Sequence, residues 1–100
     1  LNDKTERHYQ VVVYLIFKLM GQFTHAEVHS AKGRADAIVQ TPHYIYIFEF
    51  KLNGTVEEAL QQINDKGYTE PFLSDNRQVI KVGVEFSPET RNVKRWLTEN

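Results

Sequence analysis

The segment that most constrains the fold is Tyr44–Leu52, a run of nine residues with the sequence YIYIFEFKL. Its β-branched and aromatic residues favour a strand. The run is apolar at nearly every position, whereas a half-exposed strand alternates apolar and polar residues. We therefore expect a central strand that is covered on both faces.

The rest of the chain predicts an α/β order around this strand. Thr55 and Glu58 have the spacing of a capping box, which marks the start of a helix. The remaining elements follow from apolar spacing and from breakers such as Gly21 and Pro42. They are a first helix over about residues 4–20, strands over about 23–31 and 34–41, a second helix over about 55–67 and a strand over 79–86. Residues 92–97 fit either a strand or a short helix.

The first helix is apolar on more than one side. Tyr9, Val12 and Ile16 follow the spacing of one helix face, and Val13, Phe17 and Met20 extend it. Four further apolar residues lie on the opposite side: Val11, Tyr14, Leu15 and Leu19. We therefore expect the predicted sheet to cover one side and a neighbouring domain or a second copy to cover the other.

Length and composition exclude several classes of protein. One hundred residues suffice for one domain, and without cysteine the chain forms no disulfide, thiolate zinc site or cysteine nucleophile. The net charge of −1 provides no overall basic field for nucleic acid, so such contacts must be local. The apolar run over residues 11–20 is too short to span a membrane. Because the chain begins with Leu1 rather than Met, we expect a processed chain or a piece cut from a longer protein. We also expect this protein to be cytoplasmic.

Three charged residues lie on the two strands around Pro42. Glu49 and Lys51 share one face of the central strand, because side chains alternate along a strand. If the preceding strand pairs antiparallel through residues 41–43, Asp36 falls opposite Glu49. Charges on the most apolar strand would be largely buried, which is costly unless they bind a partner or have a function.

An Asp and a Glu that converge with a backbone carbonyl oxygen match the ligand preference of Mg²⁺ or Mn²⁺. A lysine beside such an ion can stabilise charge that develops on a phosphate oxygen. The same residues also fit a simple ion pair between Lys51 and Glu49 or Asp36 on a strand face. The spacing alone does not separate these two interpretations.

The order of these motifs resembles the PD-(D/E)XK nuclease superfamily. The residues that carry the resemblance are Gly33-Arg-Ala-Asp36, Tyr46-Ile-Phe-Glu49-Phe-Lys51-Leu, Glu58-Ala-Leu-Gln-Gln62-Ile with Gly67-Tyr68, Ile80 to Gly83, and Phe86-Ser87. Within the superfamily, the chain is most similar to the nuclease-like domain at the C-terminus of bacterial AAA-ATPase-like proteins of uncertain function. The resemblance covers nearly the whole chain and implies a restriction-endonuclease-like αβββαβ core, with a mixed sheet flanked by helices. It also implies that residues 1–100 form a single domain, excised from the C-terminal end of a longer chain.

The resemblance also implies roles for individual residues. Asp36 and Glu49 would bind the divalent metal together with the backbone carbonyl of Phe50, and Lys51 would be the catalytic lysine. Ala35 stands where many members have a proline.

Four further residues are candidates for the site. Gln62 resembles a glutamine that some of these nucleases place near the active site, but it also fits a half-buried helix residue. Glu6 is a possible extra metal ligand, although the helix dipole alone explains an acidic residue in a first turn. Glu27 and Arg34 are possible accessory residues, which also fit a solvated strand face and a charged turn.

Two functions follow from these observations. The first is a metal-dependent nuclease that hydrolyses DNA, or RNA, with a metal-activated water. The second is a catalytically silent nuclease fold that serves nucleic-acid binding or dimerisation within a larger ATPase-containing protein. In either case the expected partners are nucleic acid, an N-terminal ATPase-like domain and a second copy of the chain. We expect no association with a membrane.

Overall fold

The computed structural model describes residues 3–23, 36–52, 54–87, 89–90 and 92–100. It contains the helices α1 (Asp3–Phe23) and α2 (Val56–Asp65), a 3₁₀ helix (Glu70–Phe72), and the strands β1 (Ala37–Gln40), β2 (Tyr44–Leu52), β3 (Gln78–Ser87) and β4 (Asn92–Glu99). The strand predicted over residues 23–31 lies outside the described residues, except that Phe23 ends α1.

The four strands form one mixed sheet in the order β1-β2-β3-β4. β1 pairs antiparallel with β2, β2 pairs parallel with β3, and β3 pairs antiparallel with β4. Because β2 and β3 are parallel and joined through α2, the predicted βαβ unit is confirmed. The C-terminal tail, for which the sequence allowed either a strand or a helix, is the edge strand β4. Its pairing with β3 changes register between Glu85 and Phe86 of β3.

Each face of β2 packs against a different helix, as the all-apolar run predicts. On one face, Val12 and Ile16 of α1 pack in a cluster with alternate residues of β2 and β3: Tyr46, Phe48, Phe50, Ile80, Val82 and Val84. On the other face, Leu60 and Ile63 of α2 pack with Ile45 and Ile47. The chain therefore forms an α/β fold with the sheet between the two helices.

α1 differs from its prediction in length and orientation. It continues through Gly21 to Phe23, because a glycine costs a helix only about 1 kcal/mol relative to alanine and does not have to end it. Phe17, which the spacing placed on the buried face, is 70% exposed, while Leu15 and Leu19 pack towards the sheet. None of the described helices has both the length and the apolar character needed to cross a membrane.

α2 begins and ends inside its predicted range of 55–67. Thr55 caps the helix with the predicted capping box, in which its hydroxyl accepts from the Glu58 amide at 3.1 Å. The helix ends at Asp65, and Gly67 adopts a φ of 65°, a conformation that favours glycine. This turn reverses the chain, and Tyr68 packs back against Ile63.

Candidate active site

Two carboxylates meet where β1 begins beside β2. Asp36 immediately precedes β1, and the register that pairs Ala37 with Phe48 places Asp36 opposite Glu49. One Asp36 oxygen, Oδ2, accepts a hydrogen bond of 2.8 Å from the Phe50 amide. This bond holds Asp36 against β2, so the approach of the two carboxylates that the sequence predicted is present.

Gln62 on α2 connects Glu49 to Lys51. Its Nε2 donates to Glu49 Oε2 at 2.8 Å, and its Oε1 accepts from Lys51 Nζ. The lysine can only donate and the carboxylate accepts, so together they fix the orientation of the glutamine amide. Gln62 is therefore a shared hydrogen-bond partner of the two predicted site residues and more than a half-buried helix glutamine.

Tyr68 belongs to the same network, and the sequence analysis assigned it no role. Its hydroxyl accepts from Gln62 Nε2 at 3.1 Å, and the residue is only 5% exposed. The available signal was Gly67, because a glycine directly after a helix often reverses the chain. Gly67 therefore predicts the turn. The hydrogen bond between Tyr68 and Gln62 cannot be predicted in the same way, because it depends on where the chain packs after the turn.

The two carboxyls are held in an environment that opposes their ionisation. Burial is the main cause that raises the pKa of Glu49 to about 7, and the charge of Asp36 raises it further, while Lys51 opposes the change. Burial also raises the pKa of Asp36, against the lowering effects of the Phe50 amide and of Lys51. Buried acids with raised pKa values are typical of functional sites, because a protein seldom retains them for stability alone.

Comparisons with known proteins identify the family of this chain. The family model of the PD-(D/E)XK nuclease superfamily matches residues 4–96. The chain belongs to the PD-(D/E)XK nuclease superfamily. It is also 33% identical over 97 residues to a protein of Azotobacter chroococcum mcd 1 described as "Uncharacterized protein in vnfD 5'region". That match covers 95% of this chain and 19% of the relative, so the chain spans about a fifth of the relative's length. No solved structure gives a significant match.

As in other PD-(D/E)XK nucleases, which generally use divalent metals, the polar groups here fit a cation. Glu49 is 1% exposed, and its Oε1 has no hydrogen bond of ordinary geometry within the part of the chain that the structure describes, although a contact with the Asp36 carboxyl helps to raise the pKa of Glu49. A buried carboxylate oxygen without a partner is costly, and a divalent cation would supply the missing contact. Within the same ranges no three His, Cys, Asp or Glu side chains cluster, so the site would combine two carboxylates with backbone oxygen or water.

The structure describes the other predicted site residues only in part. Phe50 contributes its amide to Asp36, and the metal-binding role of its carbonyl stays a prediction. Glu6 lies in the first turns of α1, and its side chain is outside the described part of the structure. Glu27 and Arg34 fall wholly outside the described residues.

Proposed function

We propose that this PD-(D/E)XK domain is a metal-dependent nuclease that hydrolyses phosphodiester bonds of DNA. The observation that carries the proposal is the buried Glu49 carboxylate, which lies opposite Asp36 and which Gln62 connects to Lys51. A buried acid, a second acid and an ammonium group in one network match the residues that metal-assisted phosphodiester hydrolysis needs.

Asp36 and Glu49 are the residues that would hold Mg²⁺ or Mn²⁺. Such a cation would polarise a phosphate oxygen and would lower the pKa of a bound water below that of free water. Lys51 contributes a positive charge beside the carboxylates, where it stabilises negative charge that develops on the phosphate. Gln62 holds the Lys51 ammonium and the Glu49 carboxylate in fixed relative positions, which reduces the reorganisation that the reaction requires.

The decisive experiment is a cleavage assay with Mg²⁺ or Mn²⁺ on plasmid DNA, single-stranded DNA and RNA. We expect Asp36→Asn and Lys51→Met to lower the cleavage rate at least a hundredfold. Asp65→Asn and Lys66→Met change the same charges at exposed positions at the end of α2 and should cut like the native chain. Equal rates for all five proteins would show that this site does not cleave. If the protein cleaves RNA and neither form of DNA, the proposed substrate is wrong and RNA replaces it.

A second function is favoured by the low charge of the chain. A net charge of −1 is unusual for a domain that grips nucleic acid unaided, because phosphate contacts from Lys and Arg supply much of the affinity. The alternative is therefore a silent nuclease fold that serves binding or dimerisation in a larger protein. Metal binding without cleavage by the native chain, on any of the three substrates, would favour this alternative.

The expected partners are part of the proposal. A cytoplasmic, ATPase-like domain that precedes this one would supply the missing phosphate contacts. The relative is about five times as long as the match, which leaves room in that protein for further domains. Tyr14 and Phe17 of α1 are mostly exposed, at 59% and 70%, and are the apolar surface available to such a neighbour or to a second copy.

A further inference from the structure

We propose that Glu85 is a positioning residue of the active site, which fixes the first turn of α2 against β3 and thereby places Gln62 between Glu49 and Lys51. This inference rests on the proposed function, because the residues that it positions are those of the nuclease site. Glu85 lies outside the predicted site, and its role follows from its contacts.

Glu85 is a buried acid with a specific partner in α2. It is 9% exposed, and its Oε1 accepts a hydrogen bond of 3.0 Å from the backbone amide of Val56. Val56 is the first residue of α2, and the capping box of Thr55 and Glu58 does not use its amide. A negative charge at this end of a helix is also favourable, because the helix dipole is positive there.

Arg95 is the second partner of Glu85. Its Nη1 lies 3.5 Å from Glu85 Oε1, and its Nη2 lies 2.9 Å from Glu57 Oε2 on the outer side of the first turn of α2. The arginine side chain is half exposed, so water screens these ion pairs and they contribute little. The hydrogen bond to the Val56 amide is therefore the contact that ties Glu85 to α2.

A glycine brings the helix close enough for this contact. A Cβ at Gly83 would lie 2.8 Å from the carbonyl oxygen of Val56 and 3.0 Å from Ala59 Cβ. Gly83 and Glu85 lie on the same face of β3, since they are two residues apart in a strand. Both therefore contact the residue that begins α2, one by close approach and one by a hydrogen bond.

The strand register links these contacts to the active site. Gly83 pairs with Glu49, and Glu85 pairs with Lys51, across the parallel β2–β3 ladder. α2 thus begins over β3, and Gln62 reaches the two site residues on the neighbouring strand. Because a helix moves as a rigid element, a shift of its first turn also displaces Gln62. A displacement of about 1 Å can lower the rate of an enzyme a hundredfold.

The test compares variants that remove this hydrogen bond from either side. Glu85→Met keeps the approximate size and removes the acceptor, whereas Glu85→Gln keeps an acceptor oxygen. Val56→Pro removes the donor, and the site suits proline, because Val56 is the first helical residue and Thr55 before it is extended with φ −112° and ψ 159°. Glu57→Gln is the matched control, since it removes a carboxylate from the same turn without a contact to β3.

Two readouts separate this inference from the proposed function. The first is the NMR signal of the Gln62 side-chain amide in the metal-free protein, and the second is the rate of DNA cleavage. We expect Glu85→Met and Val56→Pro to shift the Gln62 signal and lower kcat at least tenfold with little change in KM. Glu85→Gln and Glu57→Gln should retain the native signal and rate.

The two removals should also be non-additive. If Glu85 acts through the Val56 amide, the double variant should shift the Gln62 signal no further than Val56→Pro alone, because the donor is already absent there. A folded Glu85→Met protein with a native Gln62 signal would overturn the inference, whether or not the native chain cleaves DNA. A shifted signal in a chain that cuts none of the substrates would support the positioning role and count against the proposed activity.

Discussion

Glu49 illustrates how a residue of the candidate site can lower the stability of the fold. It occupies the centre of the most buried strand, where every other fully buried side chain of β2 is apolar or aromatic. Folding holds a proton on Glu49, because its pKa rises from 4.5 to about 7. The unfolded chain releases that proton above pH 4.5, so the contribution of Glu49 to stability falls as the pH rises from 4.5 to 7.

Replacement of Glu49 by glutamine should therefore stabilise the protein at high pH. Glu49→Gln keeps an oxygen that can accept from Gln62 and removes the charge whose burial is costly. We expect the free energy of unfolding to rise by roughly 1–3 kcal/mol at pH 8 and to change much less at pH 5. Urea denaturation at both pH values measures this, with Glu89→Gln as the control for an exposed carboxylate. Destabilisation at pH 8 would contradict the prediction.

The same raised pKa predicts that metal affinity depends on pH. Below pH 7 a bound cation must displace the proton from Glu49, so affinity should rise as the pH approaches 7 and level off above it. The increase should be at most about tenfold per pH unit for one proton. Calorimetric titration with Mn²⁺ at pH 6, 7 and 8, in two buffers of different ionisation enthalpy, measures both affinity and proton release. A constant affinity without proton release would contradict it.

At the scale of elements, the placement of α2 on the sheet determines whether the site forms. α2 brings Gln62 to two β2 residues, and the only glycine of β3, Gly83, permits the close contact of helix and strand. The helix and the strands were separately predictable, since a capping box and an apolar run are local signals. The distance between α2 and β2 is not a local property of the sequence, because it depends on the absence of a Cβ at Gly83 in β3.

Gly83→Ala should therefore disturb both stability and the site. The added Cβ would contact the backbone of Val56, which cannot move without the rest of α2, so we expect a loss of about 1–3 kcal/mol. Val82→Ala is the matched control, because it should lose about 2 kcal/mol on the opposite face of the same strand. Urea denaturation gives the stabilities, and the Gln62 amide signal should shift only in Gly83→Ala. A similar shift in both proteins would refute the prediction.

Sequence reasoning recovered the parts of the molecule that depend on near neighbours. β2 was predicted with its observed bounds because its composition has few alternatives, and Asp36 was predicted opposite Glu49 because a short turn joins their strands. The inward side of α1 was predicted incorrectly at Phe17, since both sides of this helix are apolar and only packing decides between them. Tyr68 was missed because its contact needs the reversal at Gly67.

At the scale of the whole molecule, charge and surface set how far the domain can act alone. The near-zero net charge gives the domain little overall attraction for a polyanion such as nucleic acid. The exposed aromatic side chains of α1 add apolar surface, and apolar surface that is contiguous commonly marks an interaction site. Both features agree with the proposal that another domain supplies part of the substrate contacts.

The isolated chain should accordingly bind DNA weakly and with little dependence on salt. If it neutralises only one to three phosphates, log K should fall with log salt with a slope of about −1 to −3. Fluorescence anisotropy between 50 and 200 mM salt, without divalent metal, measures the slope, and Lys51→Met should make it shallower if Lys51 contacts phosphate. A slope steeper than about −5 would contradict the prediction, because it requires contacts to more than about five phosphates.

The parallel pairing of β2 with β3 also has a consequence for biosynthesis. Asp36, Glu49, Lys51 and Gln62 leave the ribosome close together, but the strand that lies beside Glu49 and anchors α2 is made only afterwards. Parallel pairing has to wait for that later segment, and non-local contacts of this kind form slowly. A nascent chain that ends before β3 therefore carries every proposed catalytic residue and no assembled site. Cleavage competence would then appear only when synthesis of the domain is nearly finished.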